Sequence, residues 1–139
     1  MMQCYDEMLS TAQALGFEVI EESIPSDCDG LYLWPYRLIV IDQNLPEYVR
    51  RCTLCHELVH AEHDDRGCGS RTGMAAEART RRETALHLID VPKYKLAEEM
   101  YDGDSSKIAS ELNVTRQVVE DFRSWLQNQE PRRIVMKAC

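Results

Sequence analysis

Apolar positions divide the chain into a mixed first third and a helical remainder. Met8, Leu9, Ala12 and Leu15 recur at helical spacing ahead of Gly16, which predicts an amphipathic helix over residues 3–15 with a glycine stop. Three short extended runs follow at 17–22, 30–34 and 37–42, set apart by Pro25, a polar cluster at 27–30 and Pro35. Such runs predict a small, mainly antiparallel sheet of about three strands. The run LIVI at 38–41 is β-branched and nearly continuous, as expected of the most buried strand. After Pro46 the period becomes helical, and helices are expected over 47–63, about 73–89, 93–101, 105–112 and 115–129, with a glycine-containing loop at 66–69 and a turn at 102–104. A sheet followed by a run of helices is an α+β fold. Residues 1–103 read as a core, with the sheet packed on the 47–63 helix. Residues 104–139 read as C-terminal helices packed on that core as one domain, with a helix-turn-helix-like end and a basic, apolar tail, RRIVMKAC.

Charge narrows the functional classes. Sixteen Lys and Arg stand against 24 Asp and Glu, a formal net charge of −8 in 139 residues. No net positive field attracts phosphates, so broad nucleic-acid binding is not expected. No apolar run approaches the length of a membrane span, and no export signal is visible. Reduced cysteines and a cytoplasmic location are therefore the expectation for Cys4, Cys28, Cys52, Cys55, Cys68 and Cys139.

The stretch CTLCHELVH at 52–60 carries two overlapping metal signatures. CxxCH is the pattern of c-type haem attachment, and HExxH is the zinc-hydrolase helix. Haem attachment normally takes place outside the cytosol and leaves Glu57 and His60 unexplained. HExxH has a geometric reason: residues four apart lie one turn apart, so His56 and His60 can aim imidazole nitrogens at one ion. Glu57 projects beside that face, where a carboxylate can take a proton from a zinc-activated water. Cys52 and Cys55 share a flank with Val59 and read most simply as small buried apolar residues. A structural Cys-Cys-His zinc site is the rival.

A hydrolytic zinc usually takes three protein ligands. On the 73–89 helix, stepping about 100° per residue, Glu77 shares a stripe with Met74, Ala78, Thr84, Ala85, Leu88 and Ile89. An inward carboxylate needs a cation, so Glu77 is the expected third ligand; pairing with Arg81 is the alternative. Glu83 points away and is expected to pair with His87. His63 is read as a non-ligand, and Asp64 and Asp65 as a solvated helix end with fallback oxygen ligands. His₂Glu is also compatible with Mn²⁺ or Fe²⁺.

Together, GLYLWPYRLIVID, RCTLCHELVHAEH, EARTRRETALHLI and IASELNVTRQVVEDFRSWL resemble the ImmA/IrrE-type zinc metalloproteases of bacteria and their phages, over residues 28–128. The family pairs the HExxH histidines with a glutamate on the next helix, in a pattern like ExxAD followed by small residues and an aliphatic pair. Glu77, Thr84, Ala85, Leu88 and Ile89 match it, while Thr80 and Arg81 depart from its Ala-Asp, and Val59 stands where glycine is frequent. The resemblance implies a zincin-like peptidase core of gluzincin type, Zn²⁺ held by His56, His60 and Glu77, and Glu57 as catalytic base. It also implies a protein substrate, a helix-turn-helix transcriptional repressor of a phage or mobile element. The alternative is a non-proteolytic anti-repressor with a structural zinc. No oxyanion stabiliser is identifiable from the sequence: Tyr94 and Tyr101 could reach the site, but tyrosines in such helices are more often packing residues with a wet hydroxyl. The C-terminal helix pair, with Thr115 as a cap, reads as a structural or substrate-docking module, because Glu120 and Asp121 oppose DNA contacts by Arg116 and Gln117.

Overall fold

The computed structural model describes residues 4–25, 27–65 and 71–138, with side chains omitted at 71–72 and 130–138. The expected loop at 66–69, Cys68, Cys139 and the side chains of the tail lie outside that description. In chain order the elements are α1 (Tyr5–Ala14), β1 (Glu18–Glu22), β2 (Gly30–Leu33), β3 (Leu38–Asp42), α2 (Glu47–Glu62), α3 (Arg71–Leu88), α4 (Val91–Met100), α5 (Ser105–Leu112) and α6 (Arg116–Ala138). The fold is α+β and mostly helical. No described helix is long and apolar enough to cross a membrane.

The sheet order is β1-β3-β2. β2 pairs antiparallel with β3, as expected, but β1 pairs parallel with it, so the sheet is mixed. Composition explains the insertion of β3 between its predecessors. Ile39 and Ile41 are fully buried on one face of β3, while β1 reads EVIEE and tolerates an edge. The most apolar strand takes the centre, where pairing on both sides satisfies its backbone.

One residue ties the sheet to α1. Arg37, with φ 48° in the left-handed region, donates from Nη2 to the Leu15 carbonyl at 2.9 Å and from Nε to the Gly16 carbonyl at 3.3 Å. Its guanidinium also lies 4.3 Å from the centroid of the Phe17 ring. Gly16, at φ 88°, supplies the turn that ends α1.

Helix α2 runs through the middle of the molecule. Leu54, Cys55, Leu58 and Val59 are buried along it, packed between the sheet, α1 and α3. Caps set the later helices. Asp90 accepts from Lys93 N and α4 starts at Val91, earlier than expected, because Pro92 is tolerated in a first turn. Asp104 caps α5 through Ser106 N and Lys107 N. Thr115 Oγ1 accepts from Val118 N at 3.2 Å, the expected cap of α6. α6 continues through Pro131 to Ala138, past the expected end at Gln129.

The α5–α6 pair is built into the same core as the rest: Ile108, Val114, Val119 and Phe122 join Leu54, Leu58 and Leu88 in one buried cluster. A polar tie reinforces it. Arg51, on α2 and 4% exposed, donates from Nη2 to the Asn113 carbonyl at 2.7 Å. Asn113 sits at φ 56° and turns the chain between α5 and α6, so the interior of the HExxH helix holds that turn in place.

Candidate metal centre

His56 and His60 lie one turn apart on α2, with ring centroids 4.8 Å apart and planes at 75°. Glu77 reaches across from α3. Its Oε1 is 2.8 Å from His56 Nε2 and its Oε2 is 3.0 Å from His60 Nε2. Among the described residues these three are the only group of His, Cys, Asp or Glu that gathers three metal-capable atoms within 4.8 Å of one another. The donor set fits a divalent ion. Tetrahedral ligands at ~2.1 Å from zinc stand about 3.4 Å apart, a spacing close to that of the two His–Glu contacts.

The buried face of α3 differs from the expected stripe. Ala76, Thr80, Thr84 and Leu88 are buried, whereas Met74 is 70% exposed and Ala78 is exposed. A ridge of residues four apart precesses by about 40° per step around a helix. The apolar face near Leu88 therefore lies on a different side from the face at the helix start, and Glu77 sits at its margin, half-buried.

Three side chains behind His60 set its orientation. Nδ1 lies 2.8 Å from Asp65 Oδ2 and 3.2 Å from Thr80 Oγ1, and Arg79 Nη2 donates to the same Asp65 oxygen at 2.6 Å. With Nδ1 engaged, Nε2 is left facing Glu77. Asp65 returns because Asp64 takes φ 53° and Asp65 N donates to the His60 carbonyl at 3.0 Å. Sequence reasoning placed Asp65 at a solvated helix end; it is instead the partner of a histidine. A left-handed residue after a helix was the available signal, but nothing local says which group the returning carboxylate meets.

Electrostatically the centre favours a cation. Burial opposes charge on His60, yet the hydrogen bonds to Glu77 and Asp65 outweigh it and raise the imidazole to about 9. Hydrogen bonds from His56 and His60 hold the Glu77 carboxyl well below the usual carboxylate range. Groups that keep a proton on an imidazole stabilise a metal ion in the same place, with the proton released on binding. Glu57 is 8% exposed, and burial pushes its carboxyl up; the two histidines draw it down, and Glu77 raises it again.

His56, Glu57 and Glu77 line a cleft of about 320 Å³. Asp29 and Gly30 of the β2 end form one side, and Thr115, Gln117, Val118 and Asp121 around the start of α6 form another. At Gly30 a Cβ would lie 2.7 Å from Thr53 Cγ2 and 3.2 Å from Glu57 Cγ, so glycine is what lets the strand approach the HExxH helix this closely. The sequence offered the C-terminal helix pair as a structural or docking module, but not the place of α6 on the cleft wall.

Other candidates are placed elsewhere. Cys52 and Cys55 are buried. Burial raises both thiols, Cys55 to about 12, as suits neutral packing groups rather than thiolate ligands. Glu83 pairs with His63 at 2.8 Å, across from α3 to the end of α2, instead of with His87. Arg81 pairs with Asp121 rather than Glu77. Tyr94 OH accepts from Arg123 Nε at 2.9 Å and Tyr101 OH donates to Glu111 at 2.7 Å; neither lines the cleft. Arg116 bonds Glu120 and Gln117 bonds Asp121, which commits both side chains that were candidates for DNA contact.

Comparison with curated individual proteins returns no match. The model of the peptidase M78 family, described as the IrrE N-terminal-like domain, matches residues 12–122, a span that includes the sheet, the HExxH helix, Glu77, α5 and the start of α6. The chain therefore belongs to the peptidase M78 family.

Proposed function

We propose that the protein is a zinc-dependent endopeptidase of gluzincin type, with His56, His60 and Glu77 as ligands of Zn²⁺ and Glu57 as general base. What carries this reading is the convergence of two imidazole Nε2 atoms and a carboxylate beside a second, buried carboxylate, with His56, Glu57 and Glu77 on the wall of one open cleft and His60 behind them. A bound divalent ion would supply Lewis-acid charge that lowers the pKa of a water and polarises a peptide carbonyl. Glu57 takes a proton from the attacking water at a carboxylate oxygen, a task suited to a carboxylate whose proton affinity burial has raised. It then delivers the proton to the departing amide nitrogen. Asp65 and Thr80 keep His60 in register.

The substrate enters as an extended peptide. Among the described residues β2 is hydrogen-bonded to a strand, β3, on one side only, and its start lines the cleft. A peptide added along the free edge would pass close to Glu57, with main-chain bonds holding it and the cleft reading its side chains.

The substrate itself is a cytosolic regulatory protein, a helix-turn-helix repressor of a phage or mobile element. Family membership supports a peptidase, and the sequence resemblance supports this class of substrate. A net charge of −8 also complements a basic DNA-binding protein. The test compares protein N-termini, by terminal labelling and mass spectrometry, in cells expressing wild type or Glu57→Gln. New termini within a helix-turn-helix protein, present only with wild type, are expected. Relief of repression that persists undiminished with Glu57→Gln would replace proteolysis by an anti-repressor acting through contact.

A further inference from the structure

Peptide hydrolysis of this kind needs a group that stabilises negative charge on the scissile carbonyl oxygen. Both tyrosines suggested by the sequence lie outside the cleft. Among the described residues that line it, Arg81 is the one Lys or Arg.

Arg81 stands one turn beyond Glu77 on α3, and residues four apart are neighbours on a helix surface. Its guanidinium is fixed in a fork. Nε and Nη2 donate to Asp121 Oδ2 and Oδ1 at 3.2 and 2.9 Å, and Gln117 Nε2 donates to the same Asp121 Oδ1 at 2.9 Å. Nη1 takes no part in these bonds. A guanidinium offers five donors in a rigid plane, so the Asp121 fork holds two N–H groups at a set angle and leaves the two on Nη1 for another acceptor. Arg81 and Asp121 also line a second groove, with Arg82 and Trp125, and so form the divide between it and the metal cleft.

We infer that Arg81 is the catalytic residue that stabilises the oxyanion, with Asp121 and Gln117 as positioning residues. The inference rests on the peptidase reading above. In the step itself the water oxygen bonds to the carbonyl carbon, the carbonyl π pair moves onto its oxygen, and the proton goes to Glu57. Arg81 Nη1 donates hydrogen bonds to that oxygen and transfers no proton. The oxyanion pair then re-forms the C=O bond as the C–N bond breaks, its pair passing to the nitrogen, which takes the proton from Glu57. Preorganised donors aimed at developing charge are where such sites gain most, about 100-fold to 1000-fold per donor.

The test is binding, which needs no known substrate. N-phosphoryl-leucine amide places a tetrahedral anion where the oxyanion forms; leucine hydroxamate chelates zinc through a planar group and serves as control. Both are titrated by calorimetry into zinc-loaded wild type, Arg81→Met and Arg81→Lys. Loss of about 100-fold in affinity for the phosphoryl ligand in Arg81→Met is expected, with partial recovery in Arg81→Lys and a change under about threefold for the hydroxamate. Removing Arg81 alone leaves the Asp121 carboxylate without its counter-charge, so Arg81→Met with Asp121→Leu is the variant to use where the single one unfolds. Unchanged phosphoryl affinity, or equal loss of both ligands, overturns the role of Arg81 alone. Failure of zinc-loaded wild type to bind either ligand overturns the peptidase reading and this inference with it.

Discussion

Replacing Asp65 by Asn tests whether His60 is held for a metal or merely happens to sit beside acids. The Asp65 side chain is 15% exposed and its Oδ2 lies 2.8 Å from His60 Nδ1. Asparagine keeps the size and one acceptor oxygen, but it removes the charge that favours the Nδ1–H tautomer and strengthens the ring as a donor through Nε2. It also weakens the grip of Arg79, now 2.6 Å from the same oxygen. Thr80, at 3.2 Å from Nδ1, remains as a neutral second partner, so orientation is loosened rather than lost. Partners of this kind typically change metal affinity by about 10- to 100-fold, or about 1.4 to 2.7 kcal/mol, and the surviving threonine places the expectation near the lower end. Zinc affinity is read by competition with a fluorescent chelator at fixed pH, for wild type, Asp65→Asn and the double variant Asp65→Asn with Thr80→Val. Affinity should fall about tenfold in the single variant and further in the double. Wild-type affinity in the double variant would refute the idea that these groups orient a ligand. So would a loss in Asp65→Asn as large as in His60→Ala, since that would make Asp65 itself a ligand.

Further expectations concern the walls of the site and the fold beneath it. Gly30→Ala brings a methyl to 2.7 Å from Thr53 Cγ2 and 3.2 Å from the Val40 carbonyl. It should cost about 1–3 kcal/mol in urea denaturation, with Thr53→Ser restoring part of it; an unchanged midpoint would show that β2 lies farther from α2. Thr84 is 3% exposed and its Oγ1 has no hydrogen-bond partner among the described residues. The isosteric Thr84→Val should therefore leave stability unchanged or raise it by about 1 kcal/mol, and a marked fall in Tm would mean that the hydroxyl is paired. Glu21 is held below its usual range chiefly by the hydrogen bond from Tyr5, with Arg50 adding to it. A carboxylate with a lowered folded pKa stabilises above its unfolded value and loses that contribution as pH falls through the folded one. Tyr5→Phe should thus flatten the acid side of the stability profile below about pH 4; identical slopes in the two proteins would remove Glu21 from the account.

Much of this protein is written locally. Helical periods, the caps at Asp104 and Thr115, and the one-turn spacing of His56 and His60 each depend on a few neighbouring residues, so the α+β order and the candidate ligands could be read before any coordinates. Glu77 too could be nominated: Thr84, Ala85, Leu88 and Ile89 of its stripe are buried as expected, while Met74 and Ala78 are exposed because the buried ridge of α3 precesses along the helix.

What depends on two elements meeting was decided only in three dimensions. β3 enters between β1 and β2 because burial rewards its isoleucines at the centre, and no local rule orders strands. Glu83 finds His63 rather than His87, Arg81 finds Asp121 rather than Glu77, and Asp65 returns to His60. A charged side chain takes whichever opposite charge the packing brings within reach, and helical spacing offers only the neighbours on its own helix. The same holds for the start of α6: its sequence reads as part of a structural or docking module, and only its packing against α3 makes it a wall of the cleft beside the candidate ligands.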